Sequence, residues 1–365
     1  MTLPSNNRDR RERPAAASAE ALLGIFDFSY QHYALGDLLT SQIDLAIMAI
    51  EQGLAHVDII VMVNPLRPSA RQQTFITPAN YMAHLDNIMP VFACNPLLLR
   101  SLQLIRDVQT FNYLIANYHR NDLPMWPELK THLRMRQEFP LHHRRINAFH
   151  ARHGHIPQLS APRGYESWAR RFHEAELAGR PLIVINPRQS SLTENPAVTT
   201  RDAPLPIWHA FIDAVAEQRP EALFVMVGGF QEWEHRLLYR RNVFIPRSYG
   251  LRLAHELALL KISDLFMGTS SGFATFATFA GVPYATINVE QGFANHAEIQ
   301  PNDRHYPFAR PNQILTWRRE TTEELLSLFN ELYSGAAADG AMTSERADKP
   351  VAQGATPHSI GADGT

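Results

Sequence analysis

Apolar residues in the first part of the chain follow two different periodicities. Leu22–Ser29 is a short, largely apolar run that predicts a first strand. Leu38–Glu51 places its apolar side chains at helical spacing and is followed by Gly53, so it predicts an amphipathic helix. Val57–Val63 is again almost continuously apolar, which is typical of a parallel strand covered on both faces. Together these elements predict a β-α-β unit with a right-handed crossover.

The pattern in the middle of the chain is less regular. Apolar spacing favours helices at Pro78–Asn87, Pro96–Asp107 and Trp126–Gln137. The short apolar run Val91–Ala93 favours a strand between the first two of them. These elements would complete the first half of the molecule.

The second half returns to a regular alternation of strands and helices, after a helix predicted at Tyr165–Ala178. The alternation predicts an α/β fold of two doubly wound halves, in which ligands bind beyond the carboxyl ends of the strands. The predicted strands are Leu182–Asn186, Ala222–Val227, Val243–Pro246, Leu265–Met267 and Tyr284–Val289, and the predicted helices are Leu205–Glu217, Leu251–Lys261, Phe273–Ala280 and Leu325–Leu332.

Changes in composition mark the limits of the two halves. The first residues are polar, basic and rich in alanine, and the last have few large apolar side chains, so neither end buries enough surface to become ordered. A stretch containing proline and glycine predicts the connection between about 155 and 180. The predicted organisation is a disordered N-terminus at 1–20, an N-terminal domain at 21–160, a C-terminal domain at 161–335 and a disordered tail at 336–365.

The overall composition excludes several classes of protein. The 365 residues are 45% hydrophobic and 19% charged, with a net charge of −2, so charge gives no reason to expect nucleic acid as a partner. Cys94 is the single cysteine, which excludes an internal disulfide framework. No apolar run approaches the roughly 20 residues that a membrane span requires, and we find no signal-like segment. We therefore expect a cytoplasmic protein.

The stretch Asp264–Asn288 predicts a strand, a polar turn, a helix and a second strand. Its apolar run stops at Gly268, residues 269–271 bring hydroxyl and backbone N–H groups to a helix start, and Gly272 allows a ligand close to the backbone. The first N–H groups of a helix lack partners and lie at the positive end of its dipole, which favours an anion such as phosphate. An ordinary capped helix explains the same residues equally well.

Further candidate residues follow other predicted strands. Asp37 precedes the first helix, where it could act as a general base, although Asp at a helix start is more often a plain N-cap. Arg188 could hold a diphosphate with its planar guanidinium or make a local surface salt bridge. Gly228 and Gly229 end an apolar strand, which usually marks only a turn. Glu232 could bond a ribose or a base, or could simply be solvated.

Residues 134–155 are rich in histidine and arginine. One interpretation is a solvated basic face or an interface. Another is binding of an anionic acceptor or of donor phosphates, and this basic region could also make a peripheral contact with a membrane. A metal site is disfavoured because no cluster of carboxylates accompanies the histidines at ligand spacing. We expect no resident metal and no cofactor.

Together these features resemble a GT-B glycosyltransferase, in particular the lipopolysaccharide heptosyltransferase-like group. That group carries a Gly-Asp-[Val/Leu/Ile] turn after its first strand, and Gly36–Leu38 stands at that place. It also carries a Gly-x-x-Ser/Thr-Gly turn before a small-residue helix that ends in Gly-x-Pro, as do Gly268–Gly272 and Gly281–Pro283. The sequence Asn186–Arg188 is similar to the strand-end arginine motif of fucosyltransferase-like GT-B enzymes. The resemblance covers most of residues 22–290.

The resemblance implies two Rossmann-like domains facing a cleft, with the donor on the C-terminal domain and the acceptor on the N-terminal one. Asp37 would be the catalytic base, and Arg188 would stabilise the leaving group. Gly36 and His32 would lie on the acceptor side. The implied donor-binding residues are Gly228, Gly229, Glu232, Gly268, Thr269, Ser270, Ser271 and Gly272.

We therefore expect an inverting, metal-independent hexosyl- or heptosyltransferase that acts in glycan or cell-surface polysaccharide synthesis. It would transfer sugar from a nucleoside-diphosphate sugar to a hydroxyl of a carbohydrate, lipid-linked glycan or protein. Two alternatives stay open. One is a nucleotide-sugar epimerase, because the same architecture also serves that chemistry. The other is a binding protein that has the fold without the activity.

Overall fold

The computed structural model describes residues 20–31, 33–63, 76–130, 142–189, 202–229, 235–290, 292, 294 and 297–344. The described strands are β1 Ala21–Asp27, β2 His56–Met62, β3 Leu98–Ile105, β4 Met125–Trp126, β5 Leu182–Asn186, β6 Leu223–Met226, β7 Val243–Phe244, β8 Leu265–Thr269, β9 Tyr284–Ile287 and β10 Gln313–Leu315. The described longer helices are α1 Leu35–Glu51, α2 Tyr81–Ile88, α3 Val108–Arg120, α4 His142–His153, α5 Tyr165–Glu176, α6 Leu205–Gln218, α7 Leu253–Lys261, α8 Gly272–Ala280 and α9 Thr322–Ser344.

The first sheet has four parallel strands in the order β3-β2-β1-β4. All residues of β1 and nearly all of β2 are buried, as expected for parallel strands that are covered on both faces. β1, α1 and β2 confirm the predicted β-α-β unit, with α1 beginning at Leu35 rather than at Leu38.

The second sheet has six parallel strands in the order β10-β9-β8-β5-β6-β7. Numbered from β5 within the sheet, this is the 3-2-1-4-5-6 order of the doubly wound fold. The chain order reverses between β5 and β8, which are paired from Ile183↔Leu265 to Asn186↔Gly268. The structure thus confirms the predicted α/β class, and the reversal defines where a ligand would bind in this sheet.

The predicted helix Pro96–Asp107 is wrong, because Leu98–Ile105 forms the edge strand β3. Leucine favours helices in isolation, but pairing with β2 overrides that local preference. The pairing also brings Arg100 and Ser101 of β3 to Asp58 of β2, where both side chains donate hydrogen bonds to the carboxylate. Tertiary pairing therefore decides the structure of this segment.

Two further predictions in the middle region are wrong. Val91–Ala93 lies in a 3₁₀-helix at Met89–Cys94 instead of a strand, and Pro90 inside it lacks the N–H that a strand interior would need. Met125–Trp126 forms strand β4 beside β1 instead of beginning the helix predicted at Trp126–Gln137. Leu129 and Lys130 of that predicted helix are helical, so only its start is wrong, and residues 131–137 lie outside the described part of the chain.

Helix α4 was not predicted, because its composition is strongly polar. Its few apolar residues, Ile146 and Phe149, lie three positions apart and are both buried. At the other end of the chain, α9 runs from Thr322 to Ser344 and is longer than the predicted Leu325–Leu332. It reaches into the predicted tail through an alanine-rich segment that favours helix. None of the described helices has the length and apolar character that crossing a membrane would require.

The connection between the halves is fixed to the C-terminal end of α8. The backbone N–H of Leu159 donates to the carbonyl of Phe279 at 2.9 Å. Lys261 Nζ donates to the carbonyls of both Leu159, at 3.1 Å, and Ala280, at 2.7 Å. One ammonium therefore satisfies a helix-end carbonyl and a connector carbonyl together.

The Asp58 carboxylate gives stability that depends on pH. Burial raises its pKa, but hydrogen bonds from Arg100 and Ser101 and the Arg100 charge outweigh burial, so the pKa is lowered overall. A lowered folded-state pKa means that the contribution is present above the unfolded pKa and is lost as pH falls through the folded one. Relative to Asp58→Asn, wild-type protein should lose its extra stability below about pH 4.

Urea unfolding of both proteins between pH 3 and 6 measures this difference. Asp86→Asn is a matched control, because Asp86 is exposed on α2 and makes no hydrogen bond or ion pair within the described residues. A wild-type advantage over Asp58→Asn that stays constant across this pH range would contradict the account.

Candidate functional site

The carboxyl ends of β5, β6 and β8 lie side by side and are tied together by polar contacts. Asn186, the last residue of β5, donates through Nδ2 to the carbonyl of Val227, just beyond β6, at 2.8 Å. The backbone N–H of Arg188 donates to Thr269 Oγ1, at the end of β8, at 3.2 Å. The sheet reverses its strand order between β5 and β8, so Arg188 and Thr269 stand at the expected place for a ligand.

Gly268 and Thr269 lie inside this framework and contact protein. A Cβ added to Gly268 would stand 2.8 Å from the ring of Phe266 and 2.9 Å from the Asn186 carbonyl oxygen, so the strands can meet there only through glycine. Thr269 is completely buried and holds the backbone of Arg188. Gly268 and Thr269 therefore support the candidate donor site from the buried side of the sheet.

Ser271 is the one of the three hydroxyl residues at 269–271 that caps helix α8. Its Oγ accepts a hydrogen bond from the N–H of Ala274 at 3.3 Å, and its backbone is extended, as at other helix caps. The Ser270 N–H donates to the Ile287 carbonyl. The N–H groups of Gly272 and Phe273 have no acceptor within the described residues. The helix start is therefore capped and still has donors available to an anion.

Arg188 is a buried residue, with 8% of its surface exposed. The interpretation as a surface arginine is therefore wrong. Its carbonyl accepts the N–H of Ala203 at 2.9 Å, so its backbone is held on both sides. A buried guanidinium at the switch point of the sheet is suited to binding an anionic group of a ligand.

Asp37 lies in the first turn of α1, where the N-cap residue is Ala34 and no side chain caps the helix. The interpretation of Asp37 as a plain N-cap is therefore wrong. Asp37 is half-buried, and its carbonyl accepts the Ser41 hydroxyl at 2.8 Å. Its carboxylate stands at a helix N-terminus, where negative charge is favourable. A carboxylate at such a position has the chemistry of a general base.

The loop before Asp37 is closed by aromatic packing. Phe28 and Tyr33 stack with ring centroids 4.1 Å apart. Burial raises the pKa of Tyr33, and the charges of Tyr81 and Asp27 add to this effect. His32 lies outside the described residues, so its acceptor-side role stays a prediction.

Helices α1 and α8 meet at their N-termini, which brings the two halves together. A Cβ built on Gly36 would stand 3.0 Å from Thr275 Oγ1 and 3.6 Å from the Cα of Gly272. A Cβ built on Gly272 would stand 2.5 Å from the Cβ of Leu35. The space at Gly272 that the sequence suggested for a ligand is therefore filled by Leu35. Gly36 consequently lies directly beside the start of α8, and Asp37 is the next residue in the chain.

Gly272→Ala is expected to destabilise the protein by about 1–3 kcal/mol, because its new methyl group overlaps the Leu35 side chain. Leu35→Ala removes the atoms in conflict, so the double variant should be more stable than the sum of the two single changes predicts. Urea unfolding of all four proteins measures this coupling. Strictly additive free energies of unfolding would show that the two residues do not meet.

A small cavity of about 10 Å³ lies behind the polar turn. Thr286 Oγ1 is buried beside it and has no hydrogen-bond partner within the described part of the chain. The cavity is too small for a phosphate, so a donor must approach the turn from the half-exposed side of Ser271 and Gly272. The residues that line the cavity are His143, Ser270, Ser271, Ala274, Thr275, Thr278, Phe279, Thr286 and Tyr306.

The sequence did not identify His143, Thr275 or Thr286 as residues beside the turn. His143 lies in the histidine-rich stretch, but only the fold brings it to α8, where its ring also stacks on Tyr306. Thr275 follows Ser271 at helical spacing, and this spacing was the one sequence signal that could have identified a residue beside the turn. These contacts depend on long-range packing.

Helix α4 uses its basic residues to hold neighbouring elements. The structure therefore favours the interface interpretation for the described part of 134–155, whereas residues 134–141 lie outside it. Asn147 adds a hydrogen bond to the carbonyl of Ala297 at 3.1 Å. Among the residues that the structure describes, no group of three His, Cys, Asp or Glu side chains is arranged to hold a metal. The ion pairs of α4 are Arg144–Glu298, Arg145–Asp44 and Arg152–Glu51.

The predicted glycine pair ends strand β6 as expected. Gly228 adopts φ +147°, a conformation that favours glycine, and its N–H donates to Glu256 Oε1 at 3.2 Å. Gly229 follows at the same edge of the sheet. Glu232 lies outside the described residues, and its proposed contact with a ribose or base stays a prediction.

A wider cavity of about 740 Å³ lies elsewhere, beside the amino ends of β1 and β4. Its lining includes Glu20, Gln52, His119 and Asp122. Ligands of doubly wound sheets bind at the opposite edge, beyond the carboxyl ends. The cavity also borders residues outside the described part of the chain, so we assign it no function.

No protein-family description matches the sequence, and no curated protein matches it. Solved structures with a similar fold include two glycosyltransferases. The glycosyl transferase family 9 from Veillonella parvula has a TM-score of 0.54 and 12% identity, covering 87% of this chain and 98% of that one. The E. coli ADP-heptose LPS heptosyltransferase II has a TM-score of 0.54 and 11% identity, covering 87% and 99%. At this identity the likeness shows the fold, which is the heptosyltransferase-like GT-B fold that the motifs predict.

Proposed function

We propose that the protein is a glycosyltransferase that moves a sugar from a nucleoside-diphosphate sugar to an acceptor hydroxyl. The observation that carries the proposal is the contact of buried Arg188 with Thr269, three residues before α8, at the switch point of the second sheet. A guanidinium and free helix N–H groups together suit a diphosphate. The similarity in fold to two glycosyltransferases supports the same reaction class.

In the proposed mechanism, the acceptor oxygen attacks the anomeric carbon directly, and the configuration inverts. Asp37 takes the proton of the attacking hydroxyl. The bond from the anomeric carbon to the donor phosphate oxygen breaks, and its electron pair leaves with the nucleoside diphosphate. Arg188 and the N–H groups at Gly272 and Phe273 stabilise that negative charge. Positive charge from these groups would allow the reaction to proceed without a metal.

The acceptor would approach from the first half of the chain. Asp37 and Gly36 lie at the start of α1, directly against the start of α8. The donor leaving group and the base would lie on opposite sides of this contact. Leu35 packs the contact itself, so the hydroxyl of a carbohydrate, lipid-linked glycan or protein would reach Asp37 from beside it.

A thermal-shift panel of ADP, GDP, UDP, CMP and their common sugar conjugates tests the proposal. Because a ligand that binds only the folded state stabilises it, at 100 times Kd we expect about 2.7 kcal/mol of stabilisation. We expect one nucleoside diphosphate and its sugar conjugate to raise Tm, equally with and without magnesium. Protein that responds to none of them would contradict the donor site. Turnover of the sugar conjugate without any acceptor would instead favour an epimerase.

A further inference from the structure

Glu256 is a charged residue with no exposed surface, on helix α7. Its Oε1 accepts the backbone N–H of Gly228 at 3.2 Å. Its Oε2 accepts a hydrogen bond from Nε–H of Arg247 at 2.8 Å. The same oxygen lies 2.7 Å from Nη2 of that arginine. Burial raises the pKa of Glu256, and the hydrogen bonds and charge of Arg247 act in the opposite direction.

Burial of a carboxylate costs desolvation free energy, and replacement of a buried ion pair by apolar side chains is often neutral or stabilising. Stability alone therefore does not explain the pair. What the pair does locally is to hold the turn after β6. Glu256 binds the N–H of Gly228, while Asn186 binds the adjacent carbonyl of Val227. Both polar groups of the peptide bond between Val227 and Gly228 are thus fixed by side chains.

The position of this turn relates it to the proposed donor site. β6 is the neighbour of β5, which leads into Arg188, so the turn follows a strand that lies roughly 4.8 Å from β5. Gly228 and Gly229 carry no side chains, which leaves room for a flat ring against the backbone. A nucleoside attached to a diphosphate at Arg188 can therefore extend across this turn.

Arg247 connects the same turn to the first half of the chain. Its Nη1 donates to Asn87 Oδ1 at 3.4 Å, in the segment of α2. The chain of contacts from α2 through Arg247 and Glu256 ends at the N–H of Gly228. The pair is therefore part of the contact between the two halves.

We propose that Glu256 is a positioning residue that holds the Gly228–Gly229 turn in the shape that receives the nucleoside of the donor. The inference rests on the proposed transferase function. Glu256 itself does not touch the donor and acts through the Gly228 N–H.

Two double variants that differ in one group test this role. Glu256→Gln with Arg247→Met removes the ion pair but retains a carbonyl oxygen that accepts the Gly228 N–H. Glu256→Met with Arg247→Met removes the ion pair and that acceptor together. Both lack the Asn87 contact and the buried charges. They differ in the acceptor for the Gly228 N–H and in the amide N–H₂ group of the glutamine, which is buried without the Arg247 partner in the Gln/Met protein.

The first readout is amide hydrogen exchange of the segment 226–229, measured without ligand. The second is the affinity for the nucleoside diphosphate that stabilises wild-type protein most among ADP, GDP and UDP. We expect faster exchange and about tenfold weaker binding in the Met/Met protein than in the Gln/Met protein, as for loss of one buried hydrogen bond. If either double variant fails to fold, Gly228→Ala disturbs the same turn through its φ of +147° and should weaken binding similarly.

The outcomes separate this inference from the proposed function. Wild-type protein that binds the nucleotide, with equal affinities in the two double variants, would overturn the role of Glu256 and leave the transferase proposal standing. Full affinity in Gly228→Ala would overturn it too. Wild-type protein that binds no nucleoside diphosphate would overturn the proposed function and this inference with it.

Discussion

Asp37→Asn is expected to lower the rate of sugar transfer by about 10²–10⁴-fold, the usual contribution of a positioned general base. The amide has nearly the shape of the carboxylate but cannot take a proton from the acceptor hydroxyl. Asp37 caps no helix through its side chain, so the change should leave the fold intact. Nucleoside-diphosphate release, measured with an acceptor that supports wild-type turnover, gives the rate.

Donor affinity should be unchanged in Asp37→Asn, because the proposed mechanism assigns Asp37 to the acceptor and not to the donor. Asp86→Asn, the same chemical change on the exposed face of α2, should retain full activity. An Asp37→Asn protein that transfers sugar at the wild-type rate would remove Asp37 from the mechanism.

Arg188→Ala is expected to lower turnover by about 10²–10³-fold, as for loss of one preorganised donor to a developing negative charge. It should also weaken binding of the nucleoside diphosphate, because Arg188 is buried and its backbone contacts Thr269 at the end of β8. Arg188→Lys keeps the charge but loses the planar fork, so it should give an intermediate result. Calorimetry of diphosphate binding and steady-state kinetics measure the two effects.

Arg171→Ala is the matched control for Arg188, because Arg171 is exposed on α5 and makes no hydrogen bond or ion pair among the described residues. It should leave binding and turnover unchanged. If Arg188→Ala bound the diphosphate as tightly as the control, the donor site would have to lie elsewhere.

Local sequence patterns predicted the second half of the chain well. The strand Leu182–Asn186 was predicted with its exact limits, and the helix start after the hydroxyl residues 269–271 was predicted from the apolar run that follows them. Both signals depend on neighbours in the sequence, such as continuous burial of a parallel strand and the preference of serine for N-caps. For the same reason the strand-end positions of Arg188 and Gly228 could be predicted.

The failures concern contacts between distant segments. Leu98–Ile105 has local preferences that suit a helix, and only pairing with β2 makes it a strand. Leu35 fills the space at Gly272, although the two residues belong to different halves of the chain. Glu256 lies in an ordinary helix and becomes notable only because the fold buries it against Gly228. No local pattern contains this information.

The most direct test of the account is a crystal structure of the protein with the nucleoside diphosphate that stabilises it most. We expect the diphosphate to lie within hydrogen-bond distance of the Arg188 guanidinium and of the N–H groups of Gly272 and Phe273. We expect the nucleoside to pack against the Gly228–Gly229 turn. A diphosphate bound away from Arg188, for example in the cavity beside Glu20 and His119, would contradict the central claim.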